Sequence, residues 1–194
     1  MPHWTELFGF VTGAACVALL VRQSIWNWPL GILNNLTFIV LFYRTGLYAD
    51  VGLQVFYIAI SIYGWWHWLH GGRDHGALAV SRVKPLTALL LAGTVAATTA
   101  LLTWLLRHYT NSTVPVLDSL ITALSLVAQF MMTRKWIENW PVWILANCIS
   151  VGLLTYKGLY VTSALYLVYQ VLCLMGWRQW RAALREPLLA NSDQ

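Results

Sequence analysis

The chain contains one stretch twice. Displaced by 112 positions, Ile25–Trp68 falls on Ile137–Trp180 without a gap and matches it at sixteen of 44 positions. A composition as apolar as this one would match at about one position in ten by accident. The shared residues include Asn27/Asn139, Trp28/Trp140, Pro29/Pro141, Asn35/Asn147, Gly46/Gly158, Tyr48/Tyr160, Tyr57/Tyr169, Gly64/Gly176, Trp65/Trp177 and Trp68/Trp180. The two halves are copies of one structural unit, so any fold proposed for one must serve the other.

That unit belongs to a membrane. With 59% apolar and only 10% charged residues over 194 positions, the chain cannot hide its apolar surface inside a water-soluble globule. Apolar segments run over 7–22, 28–43, 51–69, 85–106, 116–133, 140–156 and 159–177, which predicts seven transmembrane helices. The first has Glu6 and no lysine or arginine before it, so it reads as a retained span rather than a signal peptide. Cys16, Cys148 and Cys173 lie inside apolar runs at unrelated spacings, which gives neither a disulfide framework nor a metal motif. They read as small packing residues.

The second and sixth segments are short for a bilayer, so the Trp-Pro entrances belong to them. There Asn27 and Asn139 are expected to cap free amides, with Pro29 and Pro141 in the first turn. Gly46-Leu47-Tyr48 and Gly158-Leu159-Tyr160 read as tight turns on the other side. The fourth segment has no counterpart in the repeat and lies between polar loops 70–84 and 107–115, which makes it a connector. A three-helix unit ends on the side opposite its start, so a second copy keeps the same orientation only if one extra crossing intervenes. The predicted architecture is all-α, with two parallel three-helix repeats joined by one helix. The first repeat spans 1–69, the connector with its loops 70–115, the second repeat 116–181, and a polar tail expected to fray 182–194.

Charge orients the bundle. Arg44, Arg107 and Lys157 share the side of the amino terminus, whereas Arg22, Arg73, Arg82, Lys84, Arg134, Lys135, Arg178, Arg181 and Arg185 share the other. Three against nine places the carboxyl terminus in the cytoplasm and the amino terminus outside. The net charge of +5 is scattered between spans and forms no stripe for nucleic acid.

All seven acidic residues, Glu6, Asp50, Asp74, Asp118, Glu138, Glu186 and Asp193, fall at predicted helix ends, in loops or in the tail. Carriers driven by protons or sodium usually hold an ionisable group inside the membrane, so coupling of that kind is disfavoured, with backbone coordination of sodium left open. The spans hold neutral and aromatic groups instead. Gln54, Tyr57, Ser61, Trp65 and Trp68 recur at three- and four-residue steps on the third helix, and Tyr166, Tyr169, Cys173, Trp177 and Trp180 repeat the pattern on the seventh. Thr122, Ser125, Gln129 and Met132 form a face of the fifth. Asn35 and Asn147 stand about 9 Å beyond the prolines at the ordinary rise of an α-helix. Such faces suit a flat, polar, uncharged or cationic solute.

Plainer roles compete with these. Trp26, Trp66, Trp136 and the pair Trp28/Trp140 read as interfacial anchors. Trp65/Trp177 and Trp68/Trp180 stand open to both anchoring and lining. Asn35 and Asn147 fit a helix–helix hydrogen bond as well as a ligand contact. Gln54, Gln129 and Tyr166 break the symmetry of the repeat and are the better ligand candidates. His67 and His70, three apart, lack further metal partners in the sequence.

Gln54-Val-Phe-Tyr-Ile-Ala-Ile-Ser-Ile-Tyr63-Gly64-Trp65-Trp66-His67-Trp68, then Thr133-Arg134-Lys135-Trp136-Ile137-Glu138-Asn139-Trp140 and Asn147-Cys-Ile-Ser-Val151, resemble the PnuC family of vitamin transporters over nearly all of the chain. The resemblance implies a fold similar to the sugar-transporting SWEET proteins, a bacterial inner-membrane location and homotrimers. It implies uptake of nicotinamide riboside by facilitated diffusion, a separate kinase trapping the product, and no cofactor. Related carriers take thiamine or riboflavin. On that reading Gln54 and Asn147 meet the sugar or carboxamide, Trp65 and Trp177 form walls or gates, and Tyr57, Tyr166, Tyr169 and Gln129 line the path. Asn35, Ser61, Ser125, Trp68 and Trp180 are further candidates. Two other classes stand as rivals. A membrane enzyme or sensor requires a catalytic group or retinal-type lysine within a span, yet Lys84, Lys135 and Lys157 all fall in loops. A scaffold would use the same residues only to pack helices.

Overall fold

The computed structural model describes residues 3–44, 48–72, 75–110 and 112–190. Helices form where the apolar runs predict them: α1 (His3–Val21), α2 (Asn27–Arg44), α3 (Tyr48–His70), α4 (Pro85–Tyr109), α5 (Pro115–Thr133), α6 (Asn139–Tyr156) and α7 (Tyr160–Ala190). No β-strand occurs among the described residues, which hold one isolated parallel bridge between Ser81 and Trp136. The duplication is written into the boundaries, since α5, α6 and α7 each begin 112 residues after α1, α2 and α3. α1 and α5 are both 19 residues long yet share no residue at that displacement. The 112-residue spacing thus extends to a helix pair that shares length but no residue.

The links repeat as well. After α1, Gln23 adopts a left-handed φ of 54°, and Ser24 N–H reaches back to Leu19 O at 2.9 Å. After α5, Lys135 does the same with φ 50°, and Trp136 N–H bonds Met131 O at 3.2 Å. These closures satisfy the last helical carbonyls, as a Schellman motif does. Gly158, with φ +73°, ends α6 in the same way, its successor Leu159 donating to Leu154 O at 2.9 Å. Here glycine adopts the left-handed conformation without strain. The matching turn at Gly46-Leu47 lies outside the described residues.

One sequence expectation fails at the helix starts. Asn27 and Asn139 do not cap with their side-chain oxygens: Asn27 Nδ2 donates to Ser24 O at 3.2 Å and Asn139 Nδ2 to Trp136 O at 2.6 Å. The chain enters each helix through a turn whose carbonyls already accept the first amides, Trp28 N–H to Ile25 O and Trp140 N–H to Ile137 O, both at 3.2 Å. The amide side chain is left to brace that turn. Of the stretch from 182, residues 182–190 belong to α7, which ends at Ala190, and the last four lie outside the described residues.

By packing, the chain divides into two units. One holds α1, α2 and α3 with Thr133–Lys135, and the other runs from Val80 onward without those three residues. In the first, α1 packs on α2 and α2 on α3; in the second, α6 packs on α7. α5 buries a stripe made of Ser119, Ala123, Leu124, Val127, Ala128, Met131 and Met132. α4 buries none of its 25 residues. Among the described residues, Pro85–Tyr109, Pro115–Thr133 and Tyr160–Arg185 are each long and apolar enough to cross a membrane. α2, α3 and α6 fall below that mark because asparagine, proline, glutamine and tryptophan interrupt their apolar runs.

Candidate functional site

At the start of α2 and of α6 the two units build the same cluster. Trp28 is 1% exposed, meets Trp68 edge-on at 5.3 Å, and lies against Gly64 so closely that a Cβ there would stand 2.3 Å from the indole. Trp140 is 0% exposed, meets Trp180 edge-on at 5.4 Å, and lies as close to Gly176. The interfacial-anchor reading of Trp28 and Trp140 is thereby corrected: glycine opens a slot in the neighbouring helix, and burying an indole there outweighs leaving it at the bilayer surface. Among the described residues neither indole N–H finds an acceptor. Trp26 and Trp66 are exposed, as anchors are, and Trp136 is half-buried, edge-on to Phe130 at 6.1 Å. Trp68 and Trp180 are buried in these clusters.

In the first unit the cluster carries a cation. Lys135 is buried, its Nζ 4.4 Å from the centre of the Trp68 ring and donating to Leu78 O at 2.8 Å. Burial pushes its ammonium down to about 8, since a low-dielectric setting disfavours the charged form. Arg134 stands over the Tyr63 ring at 5.7 Å. His67 stacks on Tyr63 at 5.6 Å and His70 on Trp66 at 5.7 Å, with His70 Nδ1 against Trp66 O at 3.1 Å.

Farther along the helices lie the other predicted residues. On α3, Gln54 and Tyr57 are half-buried, Tyr57 edge-on to Phe56 at 6.2 Å; Ser61 is buried and Trp65 is 37% exposed. Asn35 on α2 is half-buried. In the second unit Asn147 is buried on α6, and its Nδ2 donates to Cys173 Sγ on α7 at 3.5 Å. No described donor reaches its Oδ1. Tyr166 and Tyr169 meet edge-on at 5.9 Å, and Trp177 is 37% exposed, like its copy Trp65. Ser125 and Gln129 are half-buried beside the packed stripe of α5. The geometry thus joins Asn147 to Cys173 and Tyr166 to Tyr169.

The sequence reading passes over several polar pairs. Thr12 Oγ1 donates to Asn34 Oδ1 at 3.0 Å in the first unit, and Gln170 Nε2 donates to Cys148 Sγ at 3.3 Å in the second. Gln170 Oε1 is buried with no partner among the described residues. Asymmetry between the copies could have flagged both, for Asn34 pairs with Ala146 and Gln170 with Ile58.

Charge stays at the ends of these helices. Asp118, in the first turn of α5, accepts from Ser112 Oγ at 2.8 Å and lies 3.9 Å from Lys157 Nζ. Glu138 accepts from Val83 N–H at 3.0 Å just before α6. Glu6 and Asp50 belong to the opening turns of α1 and α3. Faces of amide, hydroxyl, thiol and aromatic ring can bind and release a solute, and among the described residues no group of three metal-binding side chains gathers.

A multi-pass helical bundle with uncharged polar faces is the architecture of a membrane transporter of small solutes. The chain belongs to the nicotinamide mononucleotide transporter family, whose model matches residues 3–182. It is 32% identical to the nicotinamide riboside transporter PnuC of Escherichia coli (strain K12), over 94% of this chain and 87% of that one. It is 28% identical to the riboflavin/roseoflavin transporter RibM of Streptomyces davaonensis, over 91% and 84% of the two chains. A crystal structure of the vitamin B3 transporter PnuC shares the fold, with a TM-score of 0.71 and 22% identity over 95% of this chain and 83% of that one.

Proposed function

We propose that this chain takes up nicotinamide riboside across a bacterial inner membrane by facilitated diffusion, after which a separate kinase phosphorylates the vitamin and traps it. One observation carries the reading: a nicotinamide riboside transporter matches over nearly the whole chain, and the helices here present aromatic, uncharged faces. Nicotinamide riboside pairs a cationic pyridinium with a ribose. Tyr and Trp rings stabilise such a cation by about 0.5–2 kcal/mol each, while amides and hydroxyls suit the sugar. A buried carboxylate would hold the cation too firmly for turnover, so a neutral lining is what a carrier of this solute needs.

Asn147 is the leading binding residue in this proposal, because Cys173 fixes its amide nitrogen and leaves the oxygen to accept from a ribose hydroxyl or the carboxamide. Tyr166, Tyr169, Gln129 and Trp177 complete the second unit's lining, with Ser125 beside them. Gln54, Tyr57 and Trp65 serve the first unit, with Asn35 and Ser61 as further contacts. Two parallel three-helix repeats around one connector, cytoplasmic placement of the arginine-rich side and assembly as a homotrimer complete the proposal. Riboflavin is the second reading, favoured by the likeness to a riboflavin/roseoflavin transporter.

Calorimetric titration of the purified protein with nicotinamide riboside, riboflavin and thiamine tests the choice. Nicotinamide riboside binds at least tenfold tighter than the others if the proposal holds; tighter binding of riboflavin would replace it with the second reading. Asn147→Ala then weakens binding by roughly five- to tenfold, the worth of one hydrogen bond, without moving the melting temperature by more than a few degrees. A large loss of stability with unchanged affinity would return Asn147 to a purely structural role.

A further inference from the structure

α7 is longer than a bilayer needs. Its 31 residues rise about 46 Å at the usual 1.5 Å per residue, against a hydrocarbon core of about 30 Å. One ridge runs up its exposed side at alternating steps of four and three: Leu167, Val171, Leu174, Arg178, Arg181 and Arg185. All six are exposed. Below, the ridge is hydrocarbon; above, it is guanidinium. A surface that meets acyl chains at one level and bears three cations immediately above has the polarity of a phospholipid standing beside it.

The arginines are not imposed by the repeated fold. The same ridge on α3 reads Val55, Ala59, Ile62, Trp66 and Leu69, and it is exposed as well. Where α7 carries Arg178 and Arg181, α3 carries Trp66 and Leu69. None of the three arginines makes an ion pair among the described residues. The one acidic residue in α7, Glu186, follows the last of them.

We infer that the outer ridge of α7 is a docking surface for anionic phospholipid, with Arg178, Arg181 and Arg185 holding the headgroup phosphate and Leu167, Val171 and Leu174 lying along its chains. Guanidinium suits this task because it is always charged and can give a phosphate oxygen two parallel hydrogen bonds. The reading does not depend on which vitamin the protein carries.

Native mass spectrometry of the full chain, reconstituted in equal phosphatidylglycerol and phosphatidylcholine and then taken into detergent, tests it. The wild type retains phosphatidylglycerol in preference, and high salt weakens the retention. R178Q/R181Q/R185Q loses on the order of fivefold for each guanidinium removed, whereas R178K/R181K/R185K keeps most of the preference. R82Q/K84Q, in the loop before α4, behaves as wild type. The proposal is overturned if the glutamine variant retains phosphatidylglycerol undiminished, if phosphatidylcholine is held equally well, or if inorganic phosphate displaces the lipid. It is also overturned if the glutamine variant changes only the oligomeric state, which would make the ridge a protein contact. Should the glutamine variant fail to fold, the lysine variant and the salt dependence decide.

Discussion

At the start of α2 and α6 the two copies are interchangeable: Trp28 sits in the slot of Gly64 with Trp68 edge-on at 5.3 Å, and Trp140 in the slot of Gly176 with Trp180 at 5.4 Å. Farther along α3 and α7 they part company. Gln54 stands where the second copy has Tyr166, Ser61 where it has Cys173, and Ile58 where it has Gln170. The links differ too, Gln23 answering to the buried cation Lys135. Both copies must solve the same packing problem, so residues that hold helices together recur. A solute has no such two-fold repetition, and the groups that meet it are free to differ.

The largest expected effect follows from the shared cluster. Trp140→Ala and Trp28→Ala each remove a fully buried indole and should cost about 3–5 kcal/mol, read as loss of thermal stability in detergent. Equal costs sharpen the equivalence of the copies; a harmless Trp28→Ala beside a damaging Trp140→Ala would break it. Next come the slots themselves. Gly64→Ala and Gly176→Ala force a methyl group against a buried ring and should cost about 1–3 kcal/mol. Gly152→Ala meets nothing within 4 Å and should be neutral or stabilising by up to about 1 kcal/mol, through helix propensity.

A smaller, pH-dependent effect separates the links. Burial in the folded protein pushes the Lys135 ammonium down to about 8, below lysine's ordinary value of 10.5. The unfolded chain therefore binds the extra proton between those values, and stability rises with pH across that window. The burial penalty is present in full below the folded value and disappears above the unfolded one. Wild type should gain about 1–3 kcal/mol over Lys135→Met as pH rises from neutral through this window, while Gln23→Met, which keeps Lys135, follows the wild-type slope. A slope shared by wild type and Lys135→Met would remove the lysine as its source. The smallest effect belongs to Lys157 and Asp118, whose 3.9 Å pair is about one-third exposed on each side. The first copy has Thr45 and Glu6 at these positions. Lys157→Ala should cost no more than about 1 kcal/mol in chemical unfolding, and a larger loss would mean that charge at this end holds more than a surface pair does.

The helices were legible because period and length announce them: all seven predicted spans overlap α1 to α7. Identity between copies announced the shared starts of α2, α3, α6 and α7, but not of α1 and α5, which share no residue at the same displacement. Trp28 and Trp140 were misread because a tryptophan near a helix end is an anchor on average; the glycines thirty-six residues later, present in both copies, are the sequence sign of a slot. Asn27 and Asn139 were misread because the entering turn already occupies the first amides, and no pattern of residue types distinguishes a capping oxygen from a bracing nitrogen. Asn147 was legible as a candidate, while the contact that orients it was not: Cys173 lies 26 residues away on another helix.

Proteoliposome uptake tests most directly whether a neutral lining lets a cationic vitamin cross without a coupled ion. An inside-negative potential favours entry of a monovalent cation by about 2.3 kcal/mol per 100 mV, which is some fifty-fold accumulation of unmodified riboside. Accumulation that follows the imposed potential and ignores proton and sodium gradients is the predicted result. Uptake that ignores the potential and follows either gradient would contradict it.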